Sequence, residues 1–83
     1  STLTEFLQHS EIEEEVGEFR NVEESLERVL DIYRYLITLF QKALDVTDEE
    51  GDDVTNDIFV GAKADLEKTV WMLAAELGQA PGL

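Results

Sequence analysis

The sequence contains no cysteine, one histidine and one proline among its 83 residues. Without cysteine the chain can form no disulfide, no thiolate metal site and no cysteine nucleophile. A catalytic triad needs a nucleophile, a base and an orienting group, and His9 with Ser1, Ser10 and Ser25 does not assemble one. The glycines are dispersed, so there is no phosphate-binding loop either. These absences exclude a hydrolase and a phosphate-loop enzyme.

Positive charge is also scarce, with six Lys and Arg against twenty Asp and Glu and a net charge of -14. That field repels phosphate backbones and anionic membrane surfaces and attracts cations. No apolar run approaches the ~20 residues of a membrane helix, and the first residues, 1–5, lack the basic region of a signal peptide. We therefore expect neither a nucleic acid nor a membrane partner, and a cytoplasmic location. Because the chain begins at Ser1 without Met, we also expect it to be a piece of a longer protein.

Hydrophobic residues make up 43% of the chain, which is enough for a packed core. Residues 1–10 can form a short helix, since Leu3, Phe6 and Leu7 share one side. Residues 11–20 are predicted to be a charged connector, in which five glutamates surround a break at Gly17.

A long helix is predicted over residues 21–50, beginning at a capping box of Asn21 and Glu24. Its apolar stripe is Val22, Leu26, Val29, Tyr33, Leu36, Phe40 and Ala43, flanked by Leu30, Ile37 and Leu44 on one shoulder and Ile32, Leu39 and Val46 on the other. The apolar arc covers about half the circumference, which is more than one antiparallel neighbour can bury.

The second long helix is predicted over residues 52–78, after a tight turn in which Gly51 suits a left-handed C-cap and Asp52 or Asp53 the next N-cap. Residues 79–83 form a tail after Gly78. One face of this helix carries Phe59, Ala62, Leu66, Val70, Leu73 and Leu77, and another carries Val60, Ala64, Trp71 and Ala75.

The predicted fold is therefore all-α, with two long antiparallel helices and a short N-terminal helix. Such a hairpin presents more apolar surface than it can cover, and it must dock on two more helices. The pattern leaves open whether these come from a second copy of the chain or from another segment of the same protein.

Three carboxylates are expected at the turn between the long helices. Asp53 and Asp57 are four residues apart and share a face, and Asp48 lies across the turn from them. Together they could attract Fe²⁺, Ca²⁺ or Mg²⁺, and the alternative is that they only complement the helix dipole. An EF-hand is excluded, because Val46 stands at the loop position that requires Asp. A di-iron site built on Glu-x-x-His is excluded as well, because Phe6 precedes His9 at that spacing.

The residues of the turn and of the second helix resemble a known family. Residues 45–58 (DVTDEEGDDVTNDI) and 65–73 (DLEKTVWML) resemble the last two helices of Dps-type mini-ferritins. Residues 2–10 resemble the short crossover helix of that family, and residues 78–83 resemble the tail of its peroxide-resistance branch. The resemblance covers the whole chain, as the second half of a ferritin-like four-helix bundle.

That resemblance implies a twelve-subunit homo-oligomeric shell that oxidises Fe²⁺ with hydrogen peroxide and stores the ferric mineral. Asp48, Asp53 and Asp57 match the acidic positions that line its iron-entry pores, and Trp71 matches an aromatic near the ferroxidase region. The iron-oxidising ligands of the family lie on the first two helices, so we expect this chain to have no ferroxidase activity of its own. The tail has no lysine, and we expect no DNA binding.

The leading hypothesis is the C-terminal half of a Dps-like iron-storage and peroxide-detoxification protein, working with its N-terminal half. One alternative is a self-associating fragment, a dimeric four-helix bundle without iron chemistry. Another is a free-standing cation-binding module at the acidic turn.

Overall fold

The chain folds into three helices, α1 over Thr2–Gln8, α2 over Glu11–Glu50 and α3 over Asp53–Glu76. The computed structural model describes the backbone of residues 2–8 and 11–83 and the side chains of residues 2–5 and 11–83. Within these residues there is no strand, which confirms the predicted all-α class with two long helices and one short one. The predictions about Phe6, Leu7 and His9 lie outside the described side chains.

Helix α2 begins at Glu11 rather than at residue 21, so the predicted connector over residues 11–20 is wrong. Glutamate is a good helix former, and Glu11, Glu13 and Glu14 lie in the first turn, where the helix dipole favours negative charge. A glycine inside a helix costs only about 1 kcal/mol, and Gly17 does not end this one. Asn21 is no cap, because it lies mid-helix and its carbonyl accepts a hydrogen bond from the Ser25 hydroxyl at 2.9 Å.

Helices α2 and α3 pack side by side in antiparallel directions. The pairing is seen where the Lys63 ammonium donates to the Gln41 side chain at 2.7 Å, and where the Gln79 amide donates to Glu27 at 3.0 Å. Because α2 has 40 residues and α3 only 24, the first part of α2 has no neighbour in α3. The molecule is accordingly a rod of 70 × 16 × 16 Å.

The core between the two helices is small. Its buried hydrophobic residues are Leu30 and Ile37 of α2 with Val70 and Ala74 of α3. Near the turn, the rings of Phe40 and Phe59 meet edge to face, with their centroids 5.6 Å apart. The centre of the contact on α2 is thus the shoulder with Leu30 and Ile37, rather than the stripe predicted through Val29.

The difference has a physical reason, since an apolar arc of half a circumference does not say which part of it the neighbour covers. Helix α3 lies on one shoulder, and Ile32 on the other shoulder remains 57% exposed. Among the described residues, no helix combines the length and the apolar character required to span a bilayer.

Candidate functional site

The turn between α2 and α3 holds the three candidate metal ligands. Helix α2 ends in a Schellman motif, in which the Gly51 N–H donates to the Asp48 carbonyl at 3.1 Å and the Asp52 N–H donates to the Thr47 carbonyl at 2.9 Å. Gly51 has φ +70°, a left-handed conformation that glycine adopts without the Cβ penalty. Its predicted role as C-cap is confirmed.

Asp52 serves both helices, because it follows the C-terminal motif of α2 and is also the N-cap of α3. Its carboxylate accepts from the Thr55 backbone N–H at 3.1 Å, which satisfies one of the free donors of the first turn. The Thr55 hydroxyl and backbone N–H together hold the pKa of Asp52 below its ordinary value. The carboxylate therefore stays charged at the positive end of the α3 dipole.

Two polar side chains fix the start of α3 against the end of α2. The Asn56 amide donates to the Leu44 carbonyl at 3.1 Å and to the Thr47 hydroxyl at 3.0 Å. The buried Thr47 hydroxyl in turn donates to the Ala43 carbonyl at 2.8 Å. Neither residue was predicted from the sequence, although an Asn in the first turn of a helix is a signal for a side-chain hydrogen bond to the backbone. The turn is a rigid corner because its backbone and side-chain polar groups bond to each other.

Asp48, Asp53 and Asp57 all lie at this corner and are exposed. Asp48 is in the last turn of α2, while Asp53 and Asp57 occupy the first two turns of α3. Across the part of the chain that the structure describes, no group of three or more carboxylate or imidazole side chains is arranged to hold a metal ion.

One side of the hairpin, which we name the open face, is apolar and uncovered. On α2 it carries a stripe without any charged residue, formed by Val29, Ile32, Leu36, Leu39, Ala43 and Val46. On α3 it carries Ile58, Ala62, Asp65, Thr69 and Met72. A shallow groove between Leu36, Phe40, Ala62 and Leu66 runs along the middle of this side. In a chain with 31% charged residues, such a stripe indicates a surface that another protein segment covers.

The opposite side, which we name the tail face because residues 78–83 lie along it, carries polar side chains around a groove beside Ile37. Its side chains are paired, Lys63 with Gln41 at 2.7 Å and with Glu67 at 3.3 Å, and Arg34 with Asp31 at 3.1 Å. The sequence analysis missed Arg34, whose signal is a cation between the apolar positions Tyr33 and Ile37. The two sides therefore differ in how many of their side chains are paired.

Trp71 lies on neither the core nor a helix–helix contact within the described residues, and 62% of it is exposed. The helix that was predicted to approach it, packing on Val60, Ala64 and Ala75, is not supplied by α1 or α2. Packing of Trp71 against a further helix stays a prediction.

Comparison with known proteins gives the chain a family. A family model described as a ferritin-like domain matches residues 2–83. The DNA protection during starvation protein of Streptococcus suis is 58% identical over 84 residues, which cover 100% of this chain and 49% of that protein. The protein of the same name from Listeria innocua is 37% identical over 82 residues, covering 98% of this chain and 53% of that protein. General stress protein 20U of Bacillus subtilis is 30% identical over 78 residues. The chain spans about half the length of the curated relatives that it matches.

Proposed function

Because the chain belongs to the ferritin-like family and is a segment of a Dps-type protein, we propose that it is the C-terminal half of an iron-storage and peroxide-detoxification protein. In this proposal the N-terminal half supplies the residues that oxidise Fe²⁺ with hydrogen peroxide. The present half supplies shell structure and the acids of an iron-entry pore. The observation that carries the proposal is the open face, an uncharged stripe on α2 beside a groove on a chain half as long as its relatives.

The exposed area supports the need for a partner. The chain exposes 6496 Å², whereas a globular monomer of 9.4 kDa exposes about 5,000 Å². The excess of about 1,500 Å² exceeds the ~800 Å² that each partner buries in a standard interface. Two further helices laid on the open face would complete a four-helix bundle and remove this excess.

The preparation itself tests this part of the proposal. We expect mass spectrometry to find a second polypeptide of similar size bound to the chain, or the chain inside one longer polypeptide. If neither a second polypeptide nor a longer one is found, the proposal that the chain works as half of a larger protein is contradicted. A solution mass near twice the 9.4 kDa of the chain would then favour the alternative, a dimeric four-helix bundle in which a second copy covers the open face.

We assign the pore to Asp48, Asp53 and Asp57, which are exposed in the last turn of α2 and the first two turns of α3. When several copies meet at a symmetry axis, a ring of such acids attracts Fe²⁺, the substrate, by its field and by hard oxygen ligands. The lack of a closed site within one described chain fits a pore, since transit requires weak and shared coordination.

A matched pair of double variants in the complete protein tests the pore. Asp53→Asn with Asp57→Asn should slow the initial rate of iron uptake several-fold. Glu49→Gln with Glu50→Gln, which removes the same charge from the same corner, should leave most of the rate intact. Equal rates in all three proteins would contradict the assignment, and equal slowing by both pairs would indicate a general field effect without specific ligands.

The same proposal predicts that the isolated chain neither oxidises iron nor binds DNA. The isolated chain should oxidise Fe²⁺ no faster than buffer, because its family resemblance places the oxidising ligands in the other half. It should also fail to retard duplex DNA on a gel at low salt, although relatives carry names that speak of DNA protection, since its net charge is -14. Retardation by the chain would contradict the electrostatic argument.

A further inference from the structure

The residues after α3 turn back onto the hairpin. Helix α3 ends in a second Schellman motif, with the Gly78 N–H on the Ala75 carbonyl at 3.1 Å and the Gln79 N–H on the Ala74 carbonyl at 2.8 Å. The left-handed Gly78, at φ +68°, reverses the chain direction. Residues 78–83, which we name the tail, then run along α2 on the tail face.

The side chain of Arg34 binds the backbone of the tail. Its Nε donates to the Pro81 carbonyl at 3.0 Å, and its Nη2 donates to the Ala80 carbonyl at 3.2 Å. Its third direction is taken by Asp31, whose carboxylate lies 3.1 Å from Nη1. A planar guanidinium can serve three acceptors at once in fixed directions, and an ammonium group cannot reproduce that geometry.

Gly82 lies close to the same guanidinium. A Cβ added at Gly82 would lie 3.1 Å from the Arg34 Nε and 3.3 Å from Cζ, closer than ordinary contact allows. Gly82 also has φ +68°, which disfavours any residue with a side chain. The contact therefore depends on an arginine on α2 and a glycine in the tail.

The tail forms one wall of a groove. Gly82 and Leu83 form one wall of a surface cavity of about 370 Å³, whose other walls include Ile37, Thr38 and Lys63. Ile37 belongs to the core and is only 6% exposed. The six residues of the tail have no charged side chain, so their side chains add no repulsion against a chain of net charge -14.

We propose that the tail is a strap latched by Arg34, which closes the groove between α2 and α3 on the tail face. With the strap in place, Gly82 and Leu83 cover part of the apolar surface beside Ile37. Release of the strap exposes that surface and gives the hairpin a further apolar side, in addition to the open face and the face of Trp71. This inference does not depend on iron chemistry or on the identity of the partner.

The chain has no cysteine, so a single Ala80→Cys in it carries a nitroxide spin label at an exposed tail position. In the protein as purified, with its natural assembly partners, we expect a slow-motion spectrum. Arg34→Met and Gly82→Ala should each raise the fast-motion fraction several-fold, and Arg34→Lys should give an intermediate value. Arg28→Met removes the same charge from an exposed position on the same helix and should change nothing.

Gly82→Ala leaves α2 untouched, so it keeps the test decisive if Arg34→Met impairs folding. Equal spectra for the parent, Arg34→Met and Gly82→Ala would overturn the latch, whether the label is slow or fast in all three. Loosening by Arg28→Met to the same extent would also overturn it, because charge rather than the Arg34 contacts would then hold the tail.

Discussion

The two ends of α2 carry the same apolar pattern and differ in what covers them. Toward its C-terminus, Leu30 packs against α3 and is 0% exposed. Toward its N-terminus, Phe19 is 62% exposed, although the apolar spacing of three and four residues follows one line that is interrupted only at Glu23. That line, the apolar seam, consists of Ile12, Val16, Phe19, Leu26, Leu30, Tyr33, Ile37, Phe40 and Leu44. Periodicity therefore locates the seam, while the length of the neighbouring helix decides which part of it is buried.

The largest expected effect is a difference in unfolding free energy between two side-chain truncations on the apolar seam. Leu30→Ala removes a fully buried side chain and should lower the free energy of unfolding by about 3 kcal/mol. Val16→Ala lies two heptads earlier on the same seam and is exposed, so it should change that free energy by less than about 0.5 kcal/mol. Urea unfolding of both variants, in one preparation of the protein, measures the difference.

A comparable loss of unfolding free energy from Val16→Ala would contradict this difference between the two ends of α2. It would mean that the first part of the seam is buried in the assembled protein, and that the partner reaches beyond the end of α3. Phe19 and Leu26 would then be the next positions to truncate, because they line a cavity beside Glu76 and Leu77 at that end.

The turn was predictable from sequence because its signals are local. A glycine followed by two aspartates specifies a left-handed C-cap and an N-cap within a few residues, and Gly51 and Asp52 take those roles. The start of α2 was not predictable in the same way. Asn21 with Glu24 has the form of a capping box, but the helix continues because the glutamates before it favour helix and Gly17 only weakens it.

The candidate site was predictable in composition and not in its contacts. Asp48, Asp53 and Asp57 were found by their spacing, and they lie at the corner where the turn puts them. The Arg34 contacts with Ala80 and Pro81 span 46 and 47 residues, and no local pattern encodes a pairing across that separation. For the same reason the sequence could not say which shoulder of α2 would receive α3.

Two glycine substitutions, one toward each end of α2, are expected to change the stability of the protein in opposite directions. Gly51→Ala puts a Cβ on a residue at φ +70° and should cost about 1–2 kcal/mol of stability. Gly17 lies inside the helix with open space around its Cβ position, so Gly17→Ala should add about 0.5–1 kcal/mol of helix stability. Thermal unfolding followed by circular dichroism measures both. A destabilising Gly17→Ala would show that the chain breaks at residue 17 in solution, as the sequence pattern first suggested.

The smallest effect concerns the acid that caps α3 at the covered end. Hydrogen bonds from Thr55 lower the pKa of Asp52 in the folded state, so its stabilising contribution is present above the unfolded pKa near 4 and is lost as the pH falls through the folded value. Asp52→Asn keeps an acceptor for the Thr55 N–H but cannot titrate. Carboxyl groups titrate between about pH 5 and about pH 2. Over this range the melting temperature of the parent should therefore fall more than that of Asp52→Asn. Relief of repulsion among the other acids affects both proteins alike, and the difference between the two curves isolates the cap. Identical curves would mean that the charge of Asp52 contributes nothing to the closed end of the hairpin, and that its role is only to accept a hydrogen bond.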